Sequence, residues 1–270
     1  MMNKKFVYAL IAVATAGLVT FGLGSHQTAS AKSASYQDEL VKKGTLTVGL
    51  EGVFPPYSYR KDGKLTGFEV DLARKLGKEM NVKVNIVPTK WDGLIAGVGS
   101  KRFDVVINNV TPTPERRKAY AFTTPYIYSH YVLVTQKKDT KIKSVKDIKG
   151  KKFVEGTGTD NQQVAKKFDA TVIPNSNFDT TLDMIKDGRA DGTVNSESAW
   201  RDYKKTNSAA GLKAQKIANK DVEPAEVAAL LSKQSPALRK QMNKALSKMR
   251  ADGSLKQLSV KYFGTDVTKK

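Results

Sequence analysis

The chain reads as an α/β protein folded into two lobes, and three observations carry that reading. Short apolar strands alternate with amphipathic helices from residue 46 onward. The alternation starts afresh after residues 131–135 (YVLVT), giving a second set of units. The longest helical pattern, residues 235–252, follows that second set and is expected to return to the first lobe.

In the first set, residues 46–50 (LTVGL) form a strand and 54–57 (FPPY) a turn, because proline fixes φ and donates no backbone hydrogen bond. Residues 67–80 (GFEVDLARKLGKEM) carry Val70, Leu72, Ala73, Leu76 and Met80 at helical spacing. Val82, Val84 and Ile86 alternate along 82–88, as in a half-buried strand. Residues 91–98 make a short helix, and 104–109 a buried strand opening on a loop with two prolines. Thr113 is placed to cap a helix with Pro114 at its first position. In the second set, strands at 152–155, 171–174 and 191–195 enclose a Gly-rich loop at 156–160 and helices at 161–168 and 180–187. For the tail helix, Ser235 is the expected cap, Pro236 the first position and Gly253 the stop, with Leu238, Met242, Leu246 and Met249 on its buried face. No period of repeat length recurs, which excludes a solenoid.

The N-terminus has Lys4 and Lys5, an apolar run over 6–24, and Ala29-Ser30-Ala31. That pattern predicts a secretory signal peptide cleaved after Ala31, the alternative being an uncleaved membrane anchor. The sequence has no cysteine to carry a lipid anchor. The expected layout is a signal peptide at 1–31, an N-terminal segment at 32–44, lobe 1 from 45–130 with 226–270, and lobe 2 at 131–225. Removing 31 residues, with two lysines and no acid, leaves 239 residues with 44 basic and 26 acidic side chains, a balance of +18. The lysines are spread along the chain, and basic stripes interleaved with aromatics are missing, so no specific nucleic-acid partner is expected. Retention on an anionic cell envelope, or binding to anionic host polymers, uses such a charge; a merely solvated surface also explains it.

Histidines number two, and His26 lies in the signal peptide, leaving His130. With no cysteine and one histidine, neither a Cys–His nucleophile pair nor a histidine metal cluster can be built. A serine triad would have to use His130, beside Tyr128 and Tyr131 in an apolar stretch, so no enzyme and no cofactor is expected. Four polar clusters do fall where a strand hands over to a loop or helix, which is where open α/β sheets bind ligands. Glu51 follows the first strand, with Phe54 and Tyr57 beyond it. Asn108, Asn109, Thr111 and Arg116 follow another. Thr157, Gly158 and Thr159 precede a helix N-terminus, a natural anion cradle. Asn195, Ser196 and Glu197 end the last strand of the second set, and Trp91 opens the short helix before the arginine cluster. Each has a plain structural reading: a solvated first-turn arginine, a core tryptophan, an ordinary turn, a surface acid. Together they suit a zwitterion, because arginine binds carboxylate with two parallel bonds, an acid takes an ammonium, and aromatics cover a side chain.

With these residues in hand, the chain resembles the family 3 solute-binding proteins, the polar amino-acid receptors of ABC importers. The resemblance runs over roughly residues 36–266 and is carried by 67–80, by TPERRKAYAFTTPY at 113–126 and by DGRADGTVN at 187–195. It implies a type II periplasmic-binding-protein-like fold, with two lobes hinged about a cleft, and a monomer that opens and closes. It also implies that Arg116 clamps the ligand carboxylate with Thr111 and Thr159, that Trp91 and Phe54 sandwich the side chain, and that Glu51 faces its far end. Arg117 is then solvent-facing. The family's usual aspartate for the ligand ammonium corresponds to Ser196, a departure that leaves Glu197, Glu51 or backbone carbonyls for that task. Within the family, 88–98, 107–126 and the loop GTGTDNQQ most resemble the cystine-binding branch and the basic surface proteins of lactobacilli, linked to cystine uptake and to adhesion on collagen or mucus. The implied partners are L-cystine, or another polar amino acid such as glutamine, and a membrane permease.

Overall fold

A computed structural model describes residues 35–270, so the segment read as a signal peptide lies outside the described residues. The chain opens with β1 (Thr45–Leu50), β2 (Tyr59–Lys61), β3 (Lys64–Thr66), α1 (Phe68–Glu79), β4 (Lys83–Pro88), α2 (Trp91–Gly99) and β5 (Val105–Val106). It continues through α3 (Pro114–Ala119), β6 (Tyr120–Phe122), β7 (Ile127–Ser129), β8 (Tyr131–Gln136), β9 (Lys152–Glu155), α4 (Asp160–Lys167) and β10 (Thr171–Pro174). After α5 (Phe178–Lys186), β11 (Gly192–Ser196), α6 (Glu197–Thr206) and β12 (Leu212–Lys216), it closes with β13 (Ala225–Val227), β14 (Leu230–Ser232), α7 (Pro236–Ala251) and α8 (Ser254–Phe263).

These strands build two five-stranded sheets, ordered β4-β1-β5-β14-β6 and β10-β9-β11-β8-β12. In the first, β1 runs parallel to β4 and β5, and β14 runs antiparallel between β5 and β6. In the second, β9 is parallel to β10 and β11, while β8 is antiparallel to β11 and β12. The chain leaves the first sheet through β7 and returns through β13, and these two pair antiparallel, with Ile127 opposite Val227 and Ser129 opposite Ala225.

Both sheets are covered on two faces, as the alternation of side chains along a strand requires. On one face of the first sheet, Leu46 and Val48 meet Leu72 and Leu76 of α1 and Leu238, Met242 and Leu246 of α7. On the other, Val106 and Leu230 meet Leu94 and Val98 of α2. Along β8 the faces separate residue by residue: Tyr131 and Leu133 join Phe153 and Val164, whereas Val132 and Val134 join Leu182, Ile185 and Trp200.

Two local expectations are corrected. The strand predicted over 104–109 shrinks to Val105–Val106. Asp104 turns its carboxylate onto the Val41 and Thr47 N–H groups, each at 2.6 Å, and Asn109 ends the run in the left-handed region at φ 47°. Ser235 does occupy the position before α7, but its side chain caps nothing. The Glu39 carboxylate, 196 residues earlier than Ser235 in the chain, accepts instead from Ala237 N (3.1 Å) and Leu238 N (2.7 Å), satisfying amides that a helix start leaves unpaired.

Candidate functional site

A cleft lies where the C-terminal ends of parallel strands from both sheets converge, with about 820 Å³ of space counted to its open mouth. The first sheet contributes Glu51 past β1, Phe54 from the turn at 54–57, Trp91 at the start of α2, and Asn108 and Asn109 past β5. The second contributes Glu155 at the end of β9, Thr159 and Asp160 at the start of α4, Asn175 to Phe178 before α5, Thr181, and Thr193 and Asn195 on β11. Phe54 and Phe178 meet edge to face across it, with ring centroids 6.4 Å apart.

Arg116 stands at one end. Thr113 accepts from its backbone N–H, and Pro114 sets the first helical turn, so the side chain leaves α3 toward the second sheet. The side chain is nearly buried, and its Nη1 donates to the Thr111 carbonyl and Nη2 to the Gly158 carbonyl, both at 2.8 Å. The guanidinium carbon lies 5.3 Å from the Trp91 ring centre, and Trp91 Nε1 donates to the Thr157 carbonyl at 3.0 Å. Asp160 Oδ2 accepts from Thr111 Oγ1 (2.9 Å) and Tyr131 Oη (2.6 Å). Burial lowers the Arg116 pKa and the Asp160 charge opposes that, so the guanidinium stays charged at neutral pH. Thr159 Oγ1 caps α4 by accepting from Gln162 N at 3.1 Å, and Gly158 takes φ 73°, which lets its carbonyl meet Arg116. Arg117 is exposed, and donates only to the Pro112 carbonyl among the described residues.

The carboxylates sit deeper. Glu51 and Asn108 exchange two hydrogen bonds, Asn108 Nδ2 to Glu51 Oε2 at 3.0 Å and Glu51 N to Asn108 Oδ1 at 2.8 Å. Burial pushes the Glu51 carboxyl up and the Asn108 bond pulls it back. Glu155 is pushed well up by burial, against bonds from Val194 N at 2.7 Å and Thr193 Oγ1 at 3.3 Å. Beneath the cleft, Glu69 accepts from Asn109 N (2.5 Å) and Tyr126 Oη (2.6 Å) on one oxygen. These bonds hold Asn109 in its left-handed conformation at the cleft wall.

Of the residues predicted from sequence, Glu51, Phe54, Trp91, Asn108, Asn109 and Thr159 line the cleft. Thr111, Arg116 and Gly158 form the bridge beside it. Ser196 and Glu197 do neither. The Ser196 hydroxyl accepts from Ala199 N and Tyr57 Oη, both at 3.1 Å, and so caps α6. Glu197 pairs with Arg201 one helical turn on and with Lys216 at 4.0 Å. Their neighbour Asn195 faces the cleft instead. Sequence reasoning passed over Glu155, Asp160, Asn175, Asn177, Phe178 and Thr181. An acid closing the apolar run Phe153-Val154-Glu155 was the available signal for the first of these.

Residues 46–265 match the model of the bacterial extracellular solute-binding proteins, family 3. The chain belongs to that family. It is 37% identical over 272 residues to the L-cystine-binding protein TcyA of Bacillus subtilis, covering 99% of this chain and 100% of TcyA. Among solved structures, the L-cystine solute receptor of Neisseria gonorrhoeae in the unliganded open conformation is 36% identical, with a TM-score of 0.62 over 88% of this chain and 100% of that one. An ancestral arginine-binding protein bound to arginine is 34% identical, with a TM-score of 0.74 over 82% of this chain and 99% of that one. The two sheet-and-helix lobes are thus those of a type II periplasmic-binding-protein-like fold, and the family is one of binding receptors, not enzymes.

In this family 3 chain, the segment 67–80 has a measurable consequence through Glu69. Burial raises its carboxyl from 4.5 to about 7, against the hydrogen bonds from Tyr126 and Asn109. A raised carboxyl favours the folded state while protonated, and that contribution is lost as pH climbs through about 7. Glu69→Gln removes the loss, so urea unfolding across pH should show a flatter profile, with a gain over wild type of about 3 kcal/mol above neutrality. Parallel profiles for the two proteins would contradict the assignment.

Proposed function

We propose that the chain is the extracellular receptor of an amino-acid ABC importer, that L-cystine is its ligand, and that it delivers the ligand to a membrane permease. The observation that carries the reading is a single cleft with a buried arginine fork at one end, carboxylates on both walls and aromatic rings between. Cystine is a double zwitterion, with two carboxylates and two ammonium groups linked by a soft disulfide. Arg116 would take one carboxylate by exchanging the Thr111 and Gly158 carbonyls for a charged acceptor, which forms the stronger bond. Trp91, Phe54 and Phe178 would cover the disulfide, and the amides of Asn108, Asn175 and Asn195 would meet the far end. The likeness to TcyA and to the Neisseria receptor supports cystine; the likeness to an arginine-binding protein makes arginine the ligand to test against it. β7 and β13, the two passages between the sheets, are the natural hinge, dividing the chain near residues 130 and 226.

A thermal-shift panel with L-cystine, L-arginine, L-glutamine and the other common amino acids tests this. Ligand at a hundred times Kd adds about 2.7 kcal/mol, or roughly 5–10 °C in Tm for a protein of this size. Cystine should give that rise, Arg116→Ala should abolish it, and Arg117→Ala should keep it. A rise with a different amino acid overturns the ligand, and equal loss in both variants overturns the carboxylate clamp.

The charge balance supports a second property, retention on an anionic envelope or host polymer. Arg239, Lys240, Lys244 and Lys248 line the exposed side of α7. Exposed charges are screened by salt, so washing whole cells with about 1 M salt should release the protein while leaving cystine binding intact. Retention unchanged by salt would rule out electrostatic tethering.

A further inference from the structure

An ammonium group entering the cleft needs a carboxylate, because a serine or amide oxygen does not neutralise a buried cation. Ser196 and Glu197 are occupied elsewhere. The lining carboxylates are Glu51, Asp160 and Glu155. The Glu51 carboxylate takes one bond, from Asn108 Nδ2, and Asp160 lies beside Arg116, taking the Thr111 and Tyr131 hydroxyls. Each of the three has one oxygen that accepts no hydrogen bond among the described residues, and Glu155 is set apart by its burial, Glu51 and Asp160 being half-buried. It is 2% exposed, its Oε1 takes the Val194 N–H and the Thr193 hydroxyl, and among the described residues its Oε2 accepts no hydrogen bond. It is a buried, half-satisfied carboxylate on the wall of the cleft.

We infer that Glu155 is the specificity-determining residue of this cleft, receiving a ligand ammonium group on its open oxygen. The assignment rests on the amino-acid-receptor reading above. It gives binding a proton account. Burial keeps the Glu155 carboxyl well above the ordinary range, with the Asp160 charge adding to the rise and the Val194 and Thr193 bonds opposing it. The other titratable groups lining the cleft are Glu51 across it and Asp160 at the start of α4, with Arg116 beside it, while Asn175, Thr193, Asn195 and Thr181 from around β10, β11 and α5 are neutral. Glu155 therefore holds its proton to higher pH than an ordinary carboxyl, and an arriving ammonium favours its ionised form. Ligand binding expels that proton to solvent. Affinity then rises with pH toward the free-cleft pKa and falls by up to about tenfold per unit below it.

Calorimetric titration of residues 32–270 tests this with L-cystine, L-arginine and L-glutamine, at about pH 5.5 and 7.5 and in two buffers of different ionisation enthalpy. For the tightest of these ligands, the wild type should release up to about one proton and bind more weakly at the lower pH. Glu155→Gln keeps the acceptor for Val194 N but has no proton to release. It should bind roughly tenfold or more weakly at the higher pH, with a flattened pH profile. Glu155→Asp keeps the charge and should retain proton release, which covers the case of a poorly folding Gln variant. Wild-type affinity, pH slope and proton release in Glu155→Gln would overturn the assignment and leave the receptor reading standing. A wild type that binds none of the three ligands would overturn both.

Discussion

The two halves of the cleft are joined at the Arg116 guanidinium, suspended between the Thr111 carbonyl on one side and the Gly158 carbonyl on the other. A cation this deeply buried is tolerated only when its donors are met and a charge is close by. The two carbonyls meet the donors, Asp160 supplies the nearby charge, and the Trp91 face covers the plane. Each of those partners is held in turn: Trp91 by the Thr157 carbonyl, and Asp160 by the hydroxyls of Thr111 and Tyr131. The bridge is thus a polar network spanning both sheets, and its neutral carbonyls are weaker acceptors for an arginine fork than a carboxylate. In the proposed function, a ligand carboxylate would compete for the same donors on favourable terms.

What aims so many polar groups at one place is strand direction. The parallel strands β1 and β5 in the first sheet, and β9 and β10 in the second, end at the cleft. The cleft-facing polar groups cluster toward the strand ends, which leaves the apolar side chains to fill the interiors of both sheets. Glu51, Asn108, Glu155 and Asn195 all sit at such ends. Of the antiparallel members, β14 carries buried Leu230 and Leu231, and β8 starts at the cleft edge, where the Tyr131 hydroxyl reaches Asp160.

Those strand ends also explain what the sequence revealed and what it concealed. The α/β alternation was legible because strand and helix periods differ, and Arg116 was legible because a Thr-Pro helix start fixes where an arginine in the first turn stands. Ser196 and Glu197 misled because residues at the junction of a strand and a helix either enter the cleft or cap that helix, and local sequence is the same for both. Here Ser196 caps α6, and Asn195 enters. Glu155 was hidden for a related reason: its direction depends on pairing between β9 and β11, which is nonlocal. The loop at 175–178 was not singled out from sequence, and in the fold Asn175 Nδ2 donates to the Asn177 carbonyl and to Thr181 Oγ1. Glu69 was legible as part of a helix, whereas its grip on Asn109, 40 positions on, was not.

The most direct test of the account is a crystal structure of residues 32–270 grown with L-cystine. The account predicts the ligand between the two sheets, one carboxylate on the Arg116 fork, an ammonium on Glu155 and the disulfide against Trp91. Cystine bound outside the cleft, or inside it with Arg116 still bridging the Thr111 and Gly158 carbonyls, would contradict it.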